Sequence, residues 1–484
     1  MSEPKQFYLR TYGCQMNSHD SQKVANLLYH AGYAECAEPD AADVLIINTC
    51  SIRDKAEHQL YSDLGVLREW KAERPGRVLG VAGCVAQQVG DRIQRRFRHV
   101  DFVFGTHNLR LAPTLVAAAL RGAQSLAIEE SASLDRFDLP ERHPEYRGAD
   151  AGRAYLTVME GCDMFCSFCI VPSTRGREIS RPAESIVAEA EALARSGVRE
   201  LTLLGQTVNA YGRHDRRRER PAQAGTTGFG ALLHRLAAIP GIARLRYTSP
   251  HPLFFDEELL RAHGELEVLC PHVHLPVQSG SDAILAKMRR RYTADEYRRL
   301  VAALRVARPD IAITTDLIVG FPGETDADFR RTLELVRDVR FVDGFSFKYS
   351  PRPGTAAATM GSAVPEEVAQ ERLAELQELL RELTLAAHRA RVGGTTEVLV
   401  AGESRRGGGQ LSGRDPYHRV VNFAAPFESP PQAGDLVKVW LVEASPHSLI
   451  GQVGLDESVD GMRRLLKGSP GQADERGRIA VFEG

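Results

Sequence analysis

A strand-length apolar run followed by an amphipathic, helix-length stretch recurs ten times between Phe7 and Thr355. FYLRTYGC, DVLIINTC, RVLGVAGC and FVFGT open the first four units. AYLTVMEGC, ELTLLGQ, RLRYTSPHP, HVHLPVQSGSD, AITTDLIVGFPGET and GFSFKYSPRPGT open the next six. Each helical crossover returns the chain to the same edge, so such strands pair in parallel. The expected class is α/β. An open parallel sheet with flanking helices is expected over residues 1–128, and a partial (βα)6 barrel over 153–385. Between them, residues 129–152 are polar, turn-prone and aperiodic, and read as a linker. The first helix is expected to take Asn17 or Ser18 as its cap.

The strand ends carry the cysteines. Ligands bind at the carboxyl edge of a parallel sheet and at the C-terminal mouth of a barrel. Cys162, Cys166 and Cys169 follow the first barrel strand within the segment EGCDMFCSFC. A paired disulfide framework wants an even number of thiols, and structural zinc usually takes four ligands in two separated pairs. Three close thiolates suit three corners of a cubane iron–sulfur cluster whose fourth iron stays open. Cys14, Cys50 and Cys84 end three different strands of the first sheet, which brings them to one rim and suggests a second cluster there. Gly13 and Gly83 precede two of them and allow close approach. Cys36 and Cys270 stand alone and read as structural. The competing reading for either trio is a set of buried thiols.

The last strand-like segments, TEVLVAGE, HRVVNFAAP, DLVKVWLVEAS and SLIGQVG, lack intervening helices. They predict a small antiparallel β barrel over residues 386–452. Arg405, Arg406, Arg414 and Arg419 fall near its turns. Residues 453–484 read as a mobile tail. The arginine-rich stretch 213–220 reads as a solvated surface insertion. With 61 basic and 63 acidic residues, no global positive field points to nucleic acid. The N-terminus has no apolar leader, and no run is long enough to cross a bilayer. A cytoplasmic protein with reduced thiols is expected.

TYGCQMN, NTCSIRDKAE, GCVAQ, EGCDMFCSFCIVPSTRGRE, HLPVQSGSD, DLIVGFPGET and SPRPGT occur in this order. Together they resemble the radical S-adenosylmethionine methylthiotransferase family, over residues 5 to about 452. The resemblance implies two [4Fe-4S] clusters and S-adenosyl-L-methionine as cofactors. Cys162, Cys166 and Cys169 would hold the radical-generating cluster, with Phe168 near the cofactor's adenine. Gly205 and Gln206 stand where the family carries a Gly-Gly-Glu-like stretch for the methionine amine. Cys14, Cys50 and Cys84 would hold the auxiliary cluster that donates the methylthio group, and would be catalytic in that sense. The C-terminal barrel would be an RNA-binding TRAM domain. Gln15-Met16-Asn17 and Ser51-Ile52-Arg53 resemble the branch that methylthiolates carbon 2 of N(6)-isopentenyladenosine beside the tRNA anticodon. The alternative substrates are threonylcarbamoyladenosine in tRNA or a ribosomal-protein side chain. The implied partners are a tRNA anticodon stem-loop, a flavodoxin- or ferredoxin-like electron donor and a sulfur donor system, acting on a monomer. The rival from another class is a zinc-stabilised RNA-binding protein without radical chemistry.

Overall fold

The computed structural model describes residues 4–51, 54–131, 133–146, 152–213, 227–404, 407, 409–424 and 430–453. The chain divides into two compact units, Met1–Thr384 and Leu385–Gly484.

The first unit opens with a six-stranded sheet in the order β2-β1-β3-β4-β5-β6. These strands are β1 (Gln6–Tyr12), β2 (Ala34–Glu35), β3 (Val44–Thr49), β4 (Val78–Gly83), β5 (Phe102–Phe104) and β6 (Ser125–Ala127). Every pairing in it is parallel. Alternate residues feed two cores, because helices cover both faces. Phe7, Ile46, Phe102 and Phe104 pack with Val24 and Leu28 of helix α1 (Gln15–His30). Leu45, Ile47, Leu79 and Val81 pack with Leu60 and Leu64 of α2 (Asp54–Glu73) and Ile93 of α3 (Cys84–Arg96). Helix α1 starts earlier than expected. Its cap is Cys14, with no side-chain cap bond. Buried Asn17, expected as the cap, instead donates its amide to Asn48 Oδ1 at 3.1 Å across the sheet end. A tertiary hydrogen bond has displaced the local one.

The stretch between the sheet and the barrel is ordered where described. Ser133 caps a helical turn at Leu134–Phe137. Asn26 of α1 donates to the carbonyls of Pro140 and Glu141 and accepts from the His143 amide.

The barrel contains the six expected strands: β7 (Arg153–Thr157), β10 (Glu200–Leu204), β11 (Arg244–Tyr247), β12 (His272–His274), β13 (Ala312–Val319) and β14 (Asp343–Lys348). A short hairpin, β8 (Met159–Glu160) with β9 (Ile179–Ser180), frames the cysteine loop after β7. The six lie in two parallel sheets, β11-β10-β7 and β12-β13-β14. The Cys270 amide joins them by donating to Leu245 O at 2.9 Å. One residue in two turns outward under the helices: Leu156, Leu201, Leu203, Leu245, Val273, Leu317 and Val319 share one core. Their alternates face the lumen. The 24-residue helix Glu366–Arg389, absent from the sequence-based expectation, contributes Leu376 and Leu380 to that outer core.

The second unit is a closed barrel of five strands in the order β15-β16-β17-β19-β18. They are β15 (Thr395–Glu403), β16 (Leu411–Arg414), β17 (Val420–Ala424), β18 (Leu436–Ala444) and β19 (Leu449–Gln452). The expected small antiparallel barrel is present, with one exception among its five pairings. β17 and β19 pair in parallel, and the other four pairings are antiparallel. The reason is arithmetic: strand direction cannot alternate all the way round a ring with an odd number of members. Asp415, fully buried, holds a turn by accepting from the Arg419 amide and pairing with Arg391 at 2.6 Å. Arg405, Arg406, the tail from 454 and most of the arginine-rich stretch from 214 lie outside the described residues.

Candidate active site

The sheet rim forms first, because three strands deliver their last residues to one edge. Cys14 caps α1, Cys50 follows β3, and Cys84 opens α3 directly after β4. Gly13 and Gly83 make this crowding possible. A Cβ on Gly13 would lie 2.2 Å from Cys50 Cβ, and one on Gly83 would lie 2.2 Å from Asn48 Oδ1. Both glycines hold positive φ, +127 and +95, which side chains resist. Cys14 and Cys50 are hydrogen-bonded neighbours, and that bond does most to lower the Cys14 thiol to about 6. Burial opposes it, while Arg175 and the Asn17 and Met16 amides at the start of α1 assist. Burial pushes the Cys84 thiol up against the pull of Arg175. Ser51 is buried beside Cys50; Ile52 and Arg53 lie outside the described residues.

The second trio sits on the loop between β8 and β9. Gly161, at φ +79, lets the loop turn under the Arg177 carbonyl, 2.1 Å from where a Cβ would stand. The Cys162 amide donates to Gly176 O at 3.1 Å, and the Cys169 amide donates to Cys166 O at 3.0 Å. The Cys162 Sγ lies 3.1 Å from Thr207 Oγ1, and Arg290 donates to Cys166 Sγ at 3.5 Å. Burial raises Cys162 to about 11, and burial with its two sister thiols raises Cys169 to about 12. Such thiols ionise only against a compensating cation, which is what a metal ligand does. Phe168 packs against the apolar group of Ile284, Met288, Phe321 and Ala357. Gln206 accepts from the Gly161 amide through Oε1, and its buried Nε2 has no partner among the described residues. Gly205 packs tightly on Met159: a Cβ there would stand 2.6 Å from Met159 Cγ.

Gly161→Ala is expected to be damaging, since it combines a left-handed backbone with a clash against main chain. The strain is about 1–3 kcal/mol before the clash is counted. Loss of iron from the purified protein, with an unchanged rim trio, would be the readout. Full iron content would contradict it.

Sequence reasoning missed the charged bridge between the two trios. Arg175, at the end of α5 (Val171–Arg175), pairs with Asp20 of α1 at 2.6 Å, and both side chains are buried. Glu160, the residue before Gly161, pairs with Lys23 at 3.6 Å and Arg136 at 3.4 Å. Burial works to raise Glu160, but Lys23, Arg136 and Arg175 hold it below its usual range. Thr106 donates to the Thr174 carbonyl beside them. Arg136 comes from the stretch read as a linker. The available signal was charge at motif positions flanking the cysteines, in EGC and STRGRE.

Among the described residues, no three His, Cys, Asp or Glu side chains converge closely enough to hold a single metal ion. A cubane takes each thiolate on a different iron, so its ligands stand farther apart than those of one zinc. Three thiols on one loop, a glycine-bared backbone and a buried amide donor left open form a donor set that fits a cluster with a bound polar ligand.

Residues 156–336 match the radical SAM superfamily, residues 6–105 an uncharacterized protein family, UPF0004, and residues 389–453 the TRAM domain. The tRNA-2-methylthio-N(6)-dimethylallyladenosine synthase of Geobacter metallireducens is 48% identical over 455 residues, covering 94% of this chain and 100% of that protein. That of Acidithiobacillus ferrooxidans is 47% identical, covering 93% and 97%. The chain belongs to this synthase family. The family's radical domain works with S-adenosylmethionine and [4Fe-4S] clusters. In fold, the synthase-family chain also resembles the radical S-adenosylmethionine methyltransferase TsrM of Kitasatospora setae, with a TM-score of 0.54 over 73% of this chain and 74% of that one, at 14% identity.

Proposed function

We propose that this chain methylthiolates carbon 2 of N(6)-isopentenyladenosine next to the anticodon of tRNA. The observation that carries the reading is near-half identity, over essentially full length, to synthases named for that product. Cys162, Cys166 and Cys169 would hold the radical-generating cluster, and Cys14, Cys50 and Cys84 the auxiliary one. When bound, the first supplies hydrogen abstraction with S-adenosylmethionine and the second supplies the methylthio group.

The chain's own residues do the rest. Gln206, expected to meet the methionine amine, has its Oε1 acceptor engaged by Gly161, so its remaining Nε2 donor suits the cofactor's carboxylate instead. Phe168 brings an apolar wall to the same loop. Arg290 and Thr207 fix the orientation of two thiols before any cluster is present. The barrel shields the reacting carbon from water and stray hydrogen donors. The TRAM barrel supplies RNA affinity, with Arg414 and Arg419 at its turns. An anticodon loop is single-stranded already, which lowers the cost of bringing its base into the barrel. Among the described residues, no helix is long and apolar enough to cross a membrane. The cytoplasm, where tRNA resides, is the proposed place of action, with a flavodoxin- or ferredoxin-like reductant and a sulfur donor system as further partners.

Modified-nucleoside mass spectrometry of tRNA from a deletion strain tests this. Disappearance of 2-methylthio-N(6)-isopentenyladenosine, with its unthiolated precursor accumulating, is expected. An unchanged level would remove the substrate assignment.

A further inference from the structure

The lumen wall built by β12, β13 and β14 carries a row of side chains with no part in either trio. Register fixes which way they face. Gly344 turns toward the helix layer, where a Cβ would meet Leu380 Cδ2 at 3.0 Å. Leu317 and Val319 are core residues on that same side. Their alternates therefore face the lumen: Asp316 beside Phe345, and Ile318 beside Phe347, in the β13–β14 ladder. His274 continues the row on β12, paired with Thr314.

Phe345 is 56% exposed and Phe347 47% exposed, although both lie on a strand of the barrel. Singly exposed apolar residues are ordinary; two large rings adjoining in a concave wall are not. Ile318 extends this wall to Phe168, since both pack against the same small core. The wall is thus continuous with the cysteine loop. Its polar edge is the His274–Asp316 pair, with Nε2 to Oδ1 at 3.3 Å. His274 also meets the Phe345 ring edge-on, at 6.1 Å between centroids.

We propose that Phe345 and Phe347 are the stacking wall for the substrate's adenine base, with Ile318 taking part of its apolar N(6) substituent. The assignment rests on the proposed function. A base drawn out of its loop loses its stacking neighbours, and aromatic side chains replace them. Base–aromatic stacking needs only a flat face, and the wall offers two. S-adenosylmethionine carries an adenine too, so the shared chemistry is adenine recognition. Our choice is the RNA base, because Phe168 already places an aromatic ring at the cysteine loop while Phe345 and Phe347 lie farther along the lumen.

The test uses reconstituted full-length protein and a fluorescently labelled anticodon stem-loop RNA carrying isopentenyladenosine. A matched RNA with plain adenosine is the comparison. Phe345→Ala and Phe347→Ala are each expected to weaken binding of the first RNA about tenfold. S-adenosylmethionine cleavage without RNA should be unchanged. Phe345→Leu keeps apolar bulk without a π face and should behave like the alanine variant, whereas Phe345→Tyr should retain binding. Leucine matching phenylalanine would overturn stacking. Loss of cofactor cleavage with RNA binding intact would reassign the wall to the cofactor's adenine and overturn the proposal. If wild-type protein fails to thiolate this RNA at all, the proposed substrate falls and the wall's assignment falls with it; an active wild type with unaffected variants sinks the wall alone.

Discussion

Replacing Cys14 by alanine is expected to abolish methylthiolation while leaving S-adenosylmethionine cleavage in place. The two trios are carried by different elements: one by three strand ends of the six-stranded sheet, the other by a single loop at the barrel. Cys14 is hydrogen-bonded to Cys50 and Asn17 and caps α1, and among the described residues none of its hydrogen bonds reaches the loop from Gly161 to Cys169. Iron should fall from about eight to about four atoms per chain, since each cubane contains four. The matching change, Cys166→Ala, should remove cleavage and thiolation together. Both activities lost in Cys14→Ala would contradict a division of labour between the trios.

Asp20→Ala should be the most destabilising single change away from the cysteines. Asp20 and Arg175 are 0% and 3% exposed at their side chains. Removing the carboxylate leaves a guanidinium buried between the trios without its counter-ion. Breaking a buried pair in this way costs about 3–5 kcal/mol. Arg175 cannot escape by losing its proton, because a guanidinium stays charged in proteins, and Cys84 and Glu160 still favour its charge against burial. A lower denaturant midpoint, monitored on the first unit, would register the loss. The double variant Asp20→Ala, Arg175→Met should recover part of it, because apolar replacement of both partners spares the unpaired charge. A double variant no better than the single one would mean that Arg175 is needed for something other than pairing.

The periodic parts of this molecule were legible in its sequence. Alternation identified six barrel strands, and glycine–cysteine strand ends located both trios. The legible features are those fixed by local periodicity or, for the rim trio, by the rule that parallel strands end on one edge. The missed ones are long-range. Asp20 and Arg175 are 155 residues apart, and each by itself reads as an ordinary surface charge. Asn17 had the chemistry of a helix cap, but Asn48 offered a better-buried partner. Strand β16, LSGR, has a serine, a glycine and an arginine and no apolar alternation; its neighbours β15 and β17 make it a strand. Phe345 and Phe347 fit a half-buried strand in sequence, and only the register shows which surface they leave bare.

The parallel pairing of β17 with β19 has a bearing on how the chain is made. The ring closes only when Leu449–Gln452 slides between β17 and β18. Until that segment has left the ribosome, both neighbours present raw edges, which are templates for unwanted pairing. The second unit is therefore the part of a nascent chain that matures last, and a message truncated just short of Leu449 would release a protein with a finished barrel of one kind and an open one of the other.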